Sequence, residues 1–154
     1  MNLSSAAFAE GESIPMRYTC DAEQPVSPPL VFSDVPENAV SLVLIVEDPD
    51  VPNAIRSDQM FDHWILFNIS PSTTGIKEGS TVGMAGNNTR GVPVYAPPCP
   101  PPEHVPTRHR YVFRLFALDV ELAVPRGSAK PLVMQAMQGH VLAEASLIGT
   151  YERS

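Results

Sequence analysis

The spacing of apolar and polar residues divides the chain into short strands separated by breakers, with one helical stretch near the C-terminus. Residues 40–47 (VSLVLIVE) are apolar almost without interruption and rich in β-branched side chains. Such a run predicts a strand buried on both faces at the centre of the core. Residues 30–33 form a short apolar run after two prolines, and 63–69 (HWILFNI) repeat the central pattern. Residues 111–120 (YVFRLFALDV) combine aromatics with β-branched residues over a longer reach, and 146–151 (SLIGTY) predict a last strand. Helical spacing occurs only late. Ser128 can serve as N-cap, Pro131 falls in the first turn, and Leu132, Val133, Ala136, Met137, His140 and Val141 recur at intervals of three and four. This periodicity puts His140 on the packed side of the helix.

Seventeen prolines and nine glycines punctuate the chain, which keeps helices out of its first two thirds. Many strands followed by one helix predict a mostly β chain: an antiparallel β-sandwich with a C-terminal helix and few other helical turns. The length of 154 residues and the lack of internal repeats predict one domain over 1–154. The Pro-rich stretch 97–106 (PPCPPPEHVP) ends just before the aromatic strand. It therefore reads as a stiff loop joining parts of one domain, able to hold pocket walls at low entropic cost.

Charge narrows the partners. A formal net charge of −7 argues against nucleic acid and against a polybasic membrane surface. The longest continuous apolar run, 42–46, is far below the ~20 residues that cross a bilayer. The N-terminus has no basic start and no long apolar segment, so the expected location is cytoplasmic. Cys20 and Cys99 are too few for a disulfide framework and form no CxxC pair, so two free thiols in a reducing compartment are expected, without a bond between them.

Titratable groups gather at the predicted strand ends. Asp48-Pro49-Asp50-Val51-Pro52 follows the central strand, His63 opens the next, and His109-Arg110-Tyr111 opens the aromatic one. If these strands are neighbours, two Asp, two His and a Tyr converge on one edge of the sheet, where a rigid scaffold usually carries function. Imidazole N–H and Tyr111 O–H suit a small oxyanion such as a phosphate group, with a carboxylate accepting a ring N–H to orient and charge a histidine. Taken singly, an Asp-Pro pair also serves as a turn and a His beside Trp as a half-buried structural side chain. Two His with carboxylates can bind zinc or iron, but no local H-x-x-x-H pair supports a metal site. No G-x-S-x-G elbow, P-loop or H-E-x-x-H is present. Hydrolysis by Asp48 with His109, or by Cys99 as nucleophile, is the weaker alternative to binding without catalysis. No cofactor is expected.

The chain resembles the phosphatidylethanolamine-binding protein family, in its bacterial and archaeal Raf kinase inhibitor-like branch. The matching pieces are Tyr18-Thr19-Cys20-Asp21, Ser27-Pro28-Pro29-Leu30, the D-P-D-V-P run at 48–52, His63-Trp64 with Asn68, Pro98-Cys99-Pro100-Pro101, His109-Arg110-Tyr111, and Gly139-His140-Val141-Leu142-Ala143 leading to Gly149-Thr150-Tyr151. The resemblance implies an antiparallel β-sandwich whose end carries an anion pocket built from Asp48, Asp50, His63, Pro101, His109 and Tyr111. It further implies a phosphate or phosphorylated head group as ligand and an Asp48–His109 interaction. Because the family's relatives include modulators of kinases and proteases, a protein-interaction inhibitor acting through surface loops is a second reading, and homodimers are expected of some relatives. Ala22, Ala96 and Pro97 depart from the family's usual glycines, and 103–108 form a longer link without glycine, which reshapes the pocket wall.

Overall fold

The central strand is buried along its whole length. β3 (Ser41–Asp48) has all eight residues out of solvent, because each face meets a different core. Leu42, Leu44 and Val46 point into a core between two sheets, while Val43 and Ile45 point into a second core beneath the only α-helix. This is why the hydrophobic run is continuous rather than alternating.

The computed structural model describes all 154 residues. A five-stranded sheet has the order β6-β4-β3-β7-β8, with β4 (Phe61–Ile69) and β7 (Arg108–Leu118) flanking β3, and β6 (Met84–Gly86) and β8 (Val141–Glu152) at the edges. A three-stranded sheet of β1 (Asn2–Ser4), β2 (Leu30–Ser33) and β5 (Gly75–Ile76) covers one face. All pairings are antiparallel. The molecule is thus the expected sandwich, with Leu3, Leu30, Phe32 and Ile76 of the small sheet packed against Leu44, Leu66, Phe113 and Leu115 of the large one. One further helical turn, a 3-10 turn, spans Met16–Tyr18.

α1 (Lys130–Met137) closes the other face, burying Val133 and Met137, a four-residue pair, against Ile45, Ile65, Phe67 and Phe116. Two expectations about this region fail. Ser128 does not cap: its hydroxyl donates to the Pro125 carbonyl at 2.6 Å, closing a turn, and Ala129 takes the cap position. His140 lies beyond the helix rather than on its packed face. The chain leaves the helix through Gly139 at φ 80°, and His140 pairs instead with Asp119 at 2.8 Å, its side chain nearly half exposed. Gly149, in the motif that leads to Tyr151, has a packing reason: a Cβ there would lie 2.5 Å from Ile14 and 2.7 Å from Phe8.

Cys20 and Cys99 are bonded to each other, contrary to the expected free thiols. The loop after the 3-10 turn and the Pro-rich loop run side by side, with Cys20 N–H donating to the Pro98 carbonyl at 3.0 Å and Tyr95 Oη donating to the Tyr18 carbonyl at 2.8 Å. The crosslink joins residues 79 apart in sequence. In the chain-entropy treatment a loop of that size contributes roughly 4 kcal/mol. Intact mass without reductant should therefore be lighter than the reduced chain by the thiol hydrogens, and a Cys20→Ser/Cys99→Ser protein should unfold at lower temperature. An unchanged mass on reduction would remove the crosslink from this account.

Candidate functional site

Strand alternation places most of the predicted site on one face. On β7, His109 and Tyr111 share the inner face with Phe113 and Leu115, and on β3, Asp48 continues the face of Leu44 and Val46. His63 needs a local irregularity. Strict alternation from Trp64 would send it to the helix side with Ile65 and Phe67. The register with β3 slips by one residue between Val46↔Trp64 and Glu47↔Asp62, so β4 carries an extra residue there. That bulge turns His63 toward the end of the sandwich and leaves Asp62 facing Lys130, 2.6 Å away.

The result is a cavity of about 220 Å³, walled by Asp48, His63, Arg90, Cys99, Pro101 and His109. Val51, Ile55 and Phe61 supply apolar surface, and the prolines of the Pro-rich loop close one side. Four of the six expected residues, Asp48, His63, Pro101 and His109, line it together. The other two do not. Asp50 turns away and grips Arg110, accepting from its backbone N–H at 2.9 Å, its Nε at 2.9 Å and its Nη2 at 2.7 Å. The Arg110 bonds hold the Asp50 carboxyl below the usual carboxylate range. Tyr111 stands behind the cavity, fully buried, with its ring 5.2 Å from His63 and 6.4 Å from His109. Its hydroxyl has no partner in the protein, and burial with the nearby Asp48 charge pushes its pKa far up.

The two histidines differ. His109 is 1% exposed, and both ring nitrogens are taken: Nδ1 donates to Asp48 Oδ2 at 2.6 Å and Nε2 donates to the Pro106 carbonyl at 3.0 Å. A carbonyl only accepts, and an ionised carboxylate only accepts, so the ring that satisfies both is imidazolium. Burial works against that charge, but the Asp48 hydrogen bond and charge, the Pro106 carbonyl and Asp50 outweigh it and raise the pKa. The expected interaction of Asp48 with His109 is present, but no N–H of this ring is left over for a ligand. His63 is the opposite. Burial drives its pKa down to about 4, against the smaller upward pull of the Ala96 carbonyl and Asp48, so the ring is neutral near pH 7. Its Nδ1 donates to the Ala96 carbonyl at 2.7 Å, while Ala96 N–H donates to the His63 carbonyl at 2.8 Å. Nε2 is then an unprotonated acceptor rather than the oxyanion donor the sequence suggested.

Arg90 was not anticipated. It sits in the connection after β6, where the Asn/Gly-rich sequence Asn87-Asn88-Thr89-Arg90-Gly91 reads only as a turn. A basic residue is uncommon in this acidic chain, and that scarcity was the available signal. A larger cavity, about 320 Å³, is lined by Ser27, Trp64, Ser80, Thr81, Tyr95 and Arg126, but holds no carboxylate or imidazole. No group of residues in the structure has the makings of a metal site.

The phosphatidylethanolamine-binding protein family model matches residues 4–152. A UPF0098 protein of Chlamydia trachomatis is 48% identical over 154 residues, with 99% of both chains covered. Another from Methanothermobacter thermautotrophicus is 45% identical over 163 residues, again covering 99% of each. Among solved structures, a phosphatidylethanolamine-binding protein homolog from Chlamydia trachomatis superposes with a TM-score of 0.93 at 47% identity, covering 99% of this chain and 97% of its own. Escherichia coli YbcL superposes with a TM-score of 0.85 at 24% identity, covering 99% and 98%, which is a likeness of fold.

The histidines impose opposite pH dependences. His109, with a raised folded pKa, contributes stability that is complete below its unfolded value of about 6.5 and is lost as pH rises through the folded value. His63, depressed to about 4, contributes stability above about 6.5 that is lost as pH falls toward 4. The unfolding temperature should therefore peak near neutrality and fall on both sides, and a flat profile from pH 4 to 9 would contradict this account. Asp48→Ala removes the carboxylate that keeps His109 charged, so the ring should titrate at lower pH and urea denaturation should register a loss of roughly 1–3 kcal/mol from the broken hydrogen bond. A His109 ring that titrates in this variant as it does in the wild type would mean that Asp48 does not hold its charge.

Proposed function

This chain belongs to the phosphatidylethanolamine-binding protein family, and we propose that the cavity at the end of its sandwich binds a small anion or phosphorylated head group without covalent chemistry. The observation that carries this reading is the convergence of Asp48, His63, Arg90, Pro101 and His109 on one cavity of about 220 Å³, a volume suited to a phosphate group with a short substituent. Two features favour binding over hydrolysis. The Cys99 sulfur is bonded to Cys20, so it is not a thiolate nucleophile. Both nitrogens of His109 are committed to Asp48 and Pro106, so it has no lone pair with which to take a proton from water.

A regulatory role through a partner protein is the second reading. Val105 on the Pro-rich loop is 85% exposed and Ile55, which lines the cavity, is 50% exposed, so both offer apolar surface to a partner. No helix is long and apolar enough to cross a membrane. The crosslink weighs against the cytoplasmic location expected from the N-terminal sequence, since a disulfide persists most readily in an oxidising compartment.

Titration with phosphorylethanolamine or inorganic phosphate, followed by NMR of the histidine rings, tests the binding reading. Resonances of His63 should shift with saturation, with smaller changes at His109, whose nitrogens are already occupied. Absence of any shift at millimolar ligand would sink the proposal.

A further inference from the structure

The charges around the cavity cancel one by one, with a single exception. Asp48 is neutralised by His109, Asp50 by Arg110, and Arg56 by Asp58. Asp62 and Glu47 share Lys130 on the helix side. His63 is neutral. Arg90 lines the cavity and its guanidinium makes no hydrogen bond or ion pair with any other residue. It is the uncompensated cation of the site in a chain whose net charge is −7.

The backbone that presents Arg90 is held firmly. Asn88, 4% exposed, uses its side chain as the hub of the turn: Oδ1 accepts from Arg90 N–H at 2.9 Å, and Nδ2 donates to the Val94 carbonyl at 2.9 Å. Gly91 N–H donates to the Asn88 carbonyl and Asn88 N–H to the Val92 carbonyl, each at 2.9 Å. The turn is then tied to the start of β4, next to His63, because Thr89 N–H donates to the Asp62 carbonyl at 3.0 Å and Thr89 Oγ1 accepts from Asp62 N–H at 2.7 Å. A free guanidinium on a fixed backbone is an arrangement for meeting an anion that the protein itself does not provide.

The remaining polar atoms of the lining define what that anion carries. His109 has no N–H to offer, the prolines have none, and His63 presents a bare Nε2 acceptor. Resting on the anion-binding reading above, we propose that Arg90 holds the anionic oxygens of the ligand while His63 Nε2 accepts a hydrogen bond from an acidic O–H on the same group, so that the cavity selects hydrogen phosphate and its monoesters over sulfate. Phosphate and sulfate are near-identical tetrahedra, but only the first keeps a proton near neutral pH. Sulfate would set an oxygen lone pair against the lone pair of Nε2, which is the kind of mismatch that gives large discrimination in a built site.

The test is calorimetric titration of the intact protein with inorganic phosphate, phosphorylethanolamine and sulfate at about pH 6, where a phosphate monoester still holds its second proton in good part. Wild type should bind phosphate at least about tenfold more tightly than sulfate. Arg90→Gln should weaken phosphate about tenfold or more, with Arg90→Lys in between, since lysine keeps the charge and loses the fork. Because the Arg90 side chain supports nothing else, both variants should keep the wild-type unfolding temperature, which a melt verifies. Equal affinity for sulfate and phosphate, or an Arg90→Gln protein that binds like wild type, overturns this inference and leaves anion binding standing. Failure of wild type to bind phosphate or phosphorylethanolamine at millimolar concentration overturns the anion-binding reading and this inference together.

Discussion

The ion pair between Asp48 and His109 organises the end of the sandwich. Both side chains are almost fully out of water, and Asp48 Oδ1 also accepts the Asp50 N–H at 2.7 Å. A buried pair of this kind adds little net stability, because desolvation offsets the attraction, but it does not tolerate losing one partner. Its effect here is positional. It joins the end of β3 to the start of β7, and the Pro106 carbonyl draws the Pro-rich loop onto the same ring. One imidazolium therefore ties the end of β3 to the start of β7 and folds the last residues of the Pro-rich loop back against the same point.

That arrangement divides labour among groups that look equivalent in the sequence. His109 gives all its donor capacity to the protein and contributes shape and charge. His63, reciprocally bonded to Ala96, contributes one acceptor. Asp50 holds Arg110, and Arg90 is left as the unspent cation. The wall is braced from outside by the Cys20–Cys99 crosslink and by Tyr151 Oη donating to Asp21 Oδ2 at 2.7 Å. The Tyr18-Thr19-Cys20-Asp21 segment and the final Tyr151 thus serve to brace the wall, and none of them lines the cavity.

Strand patterning made most of the fold legible. The run at 40–47 differs by one residue at each end from β3, and the double burial of that strand follows directly from its unbroken apolar character. β1, β5 and β6 leave no mark on the sequence because they have two or three residues each, too short for a period to show. Ser128 was misassigned because a hydroxyl before a helix can close a turn as readily as cap, and nothing local decides between the two. For the site, the convergence of Asp48, His63 and His109 was readable from strand ends, and Pro101 from the family resemblance alone. What each nitrogen does was not, since that depends on the Ala96 carbonyl, 33 residues from His63, and on how the turn before β7 folds the Pro106 carbonyl back onto His109. Cys20 and Cys99 both lie in motifs that flank the site, but a reducing compartment argued against their bond; Arg90 sits in a turn sequence with no signal that it reaches the cavity.

The outer edge of β8 is sheltered over only part of its length. Residues 10–14 cover its C-terminal half, with Gly11 N–H donating to the Ile148 carbonyl, Ile14 N–H to the Thr150 carbonyl, and Thr150 N–H to the Glu12 carbonyl. The first half of the strand has no such cover, and Val141 and Leu142 are 46% and 37% exposed. A bare strand margin with apolar side chains invites another chain to dock alongside and extend the ladder. The charge of Glu144, paired with Arg114, stands in the middle of that margin and discourages such annealing. An acidic side chain on such a margin is one of the devices by which natural sheets resist edge-to-edge association, quite apart from anything the cavity does.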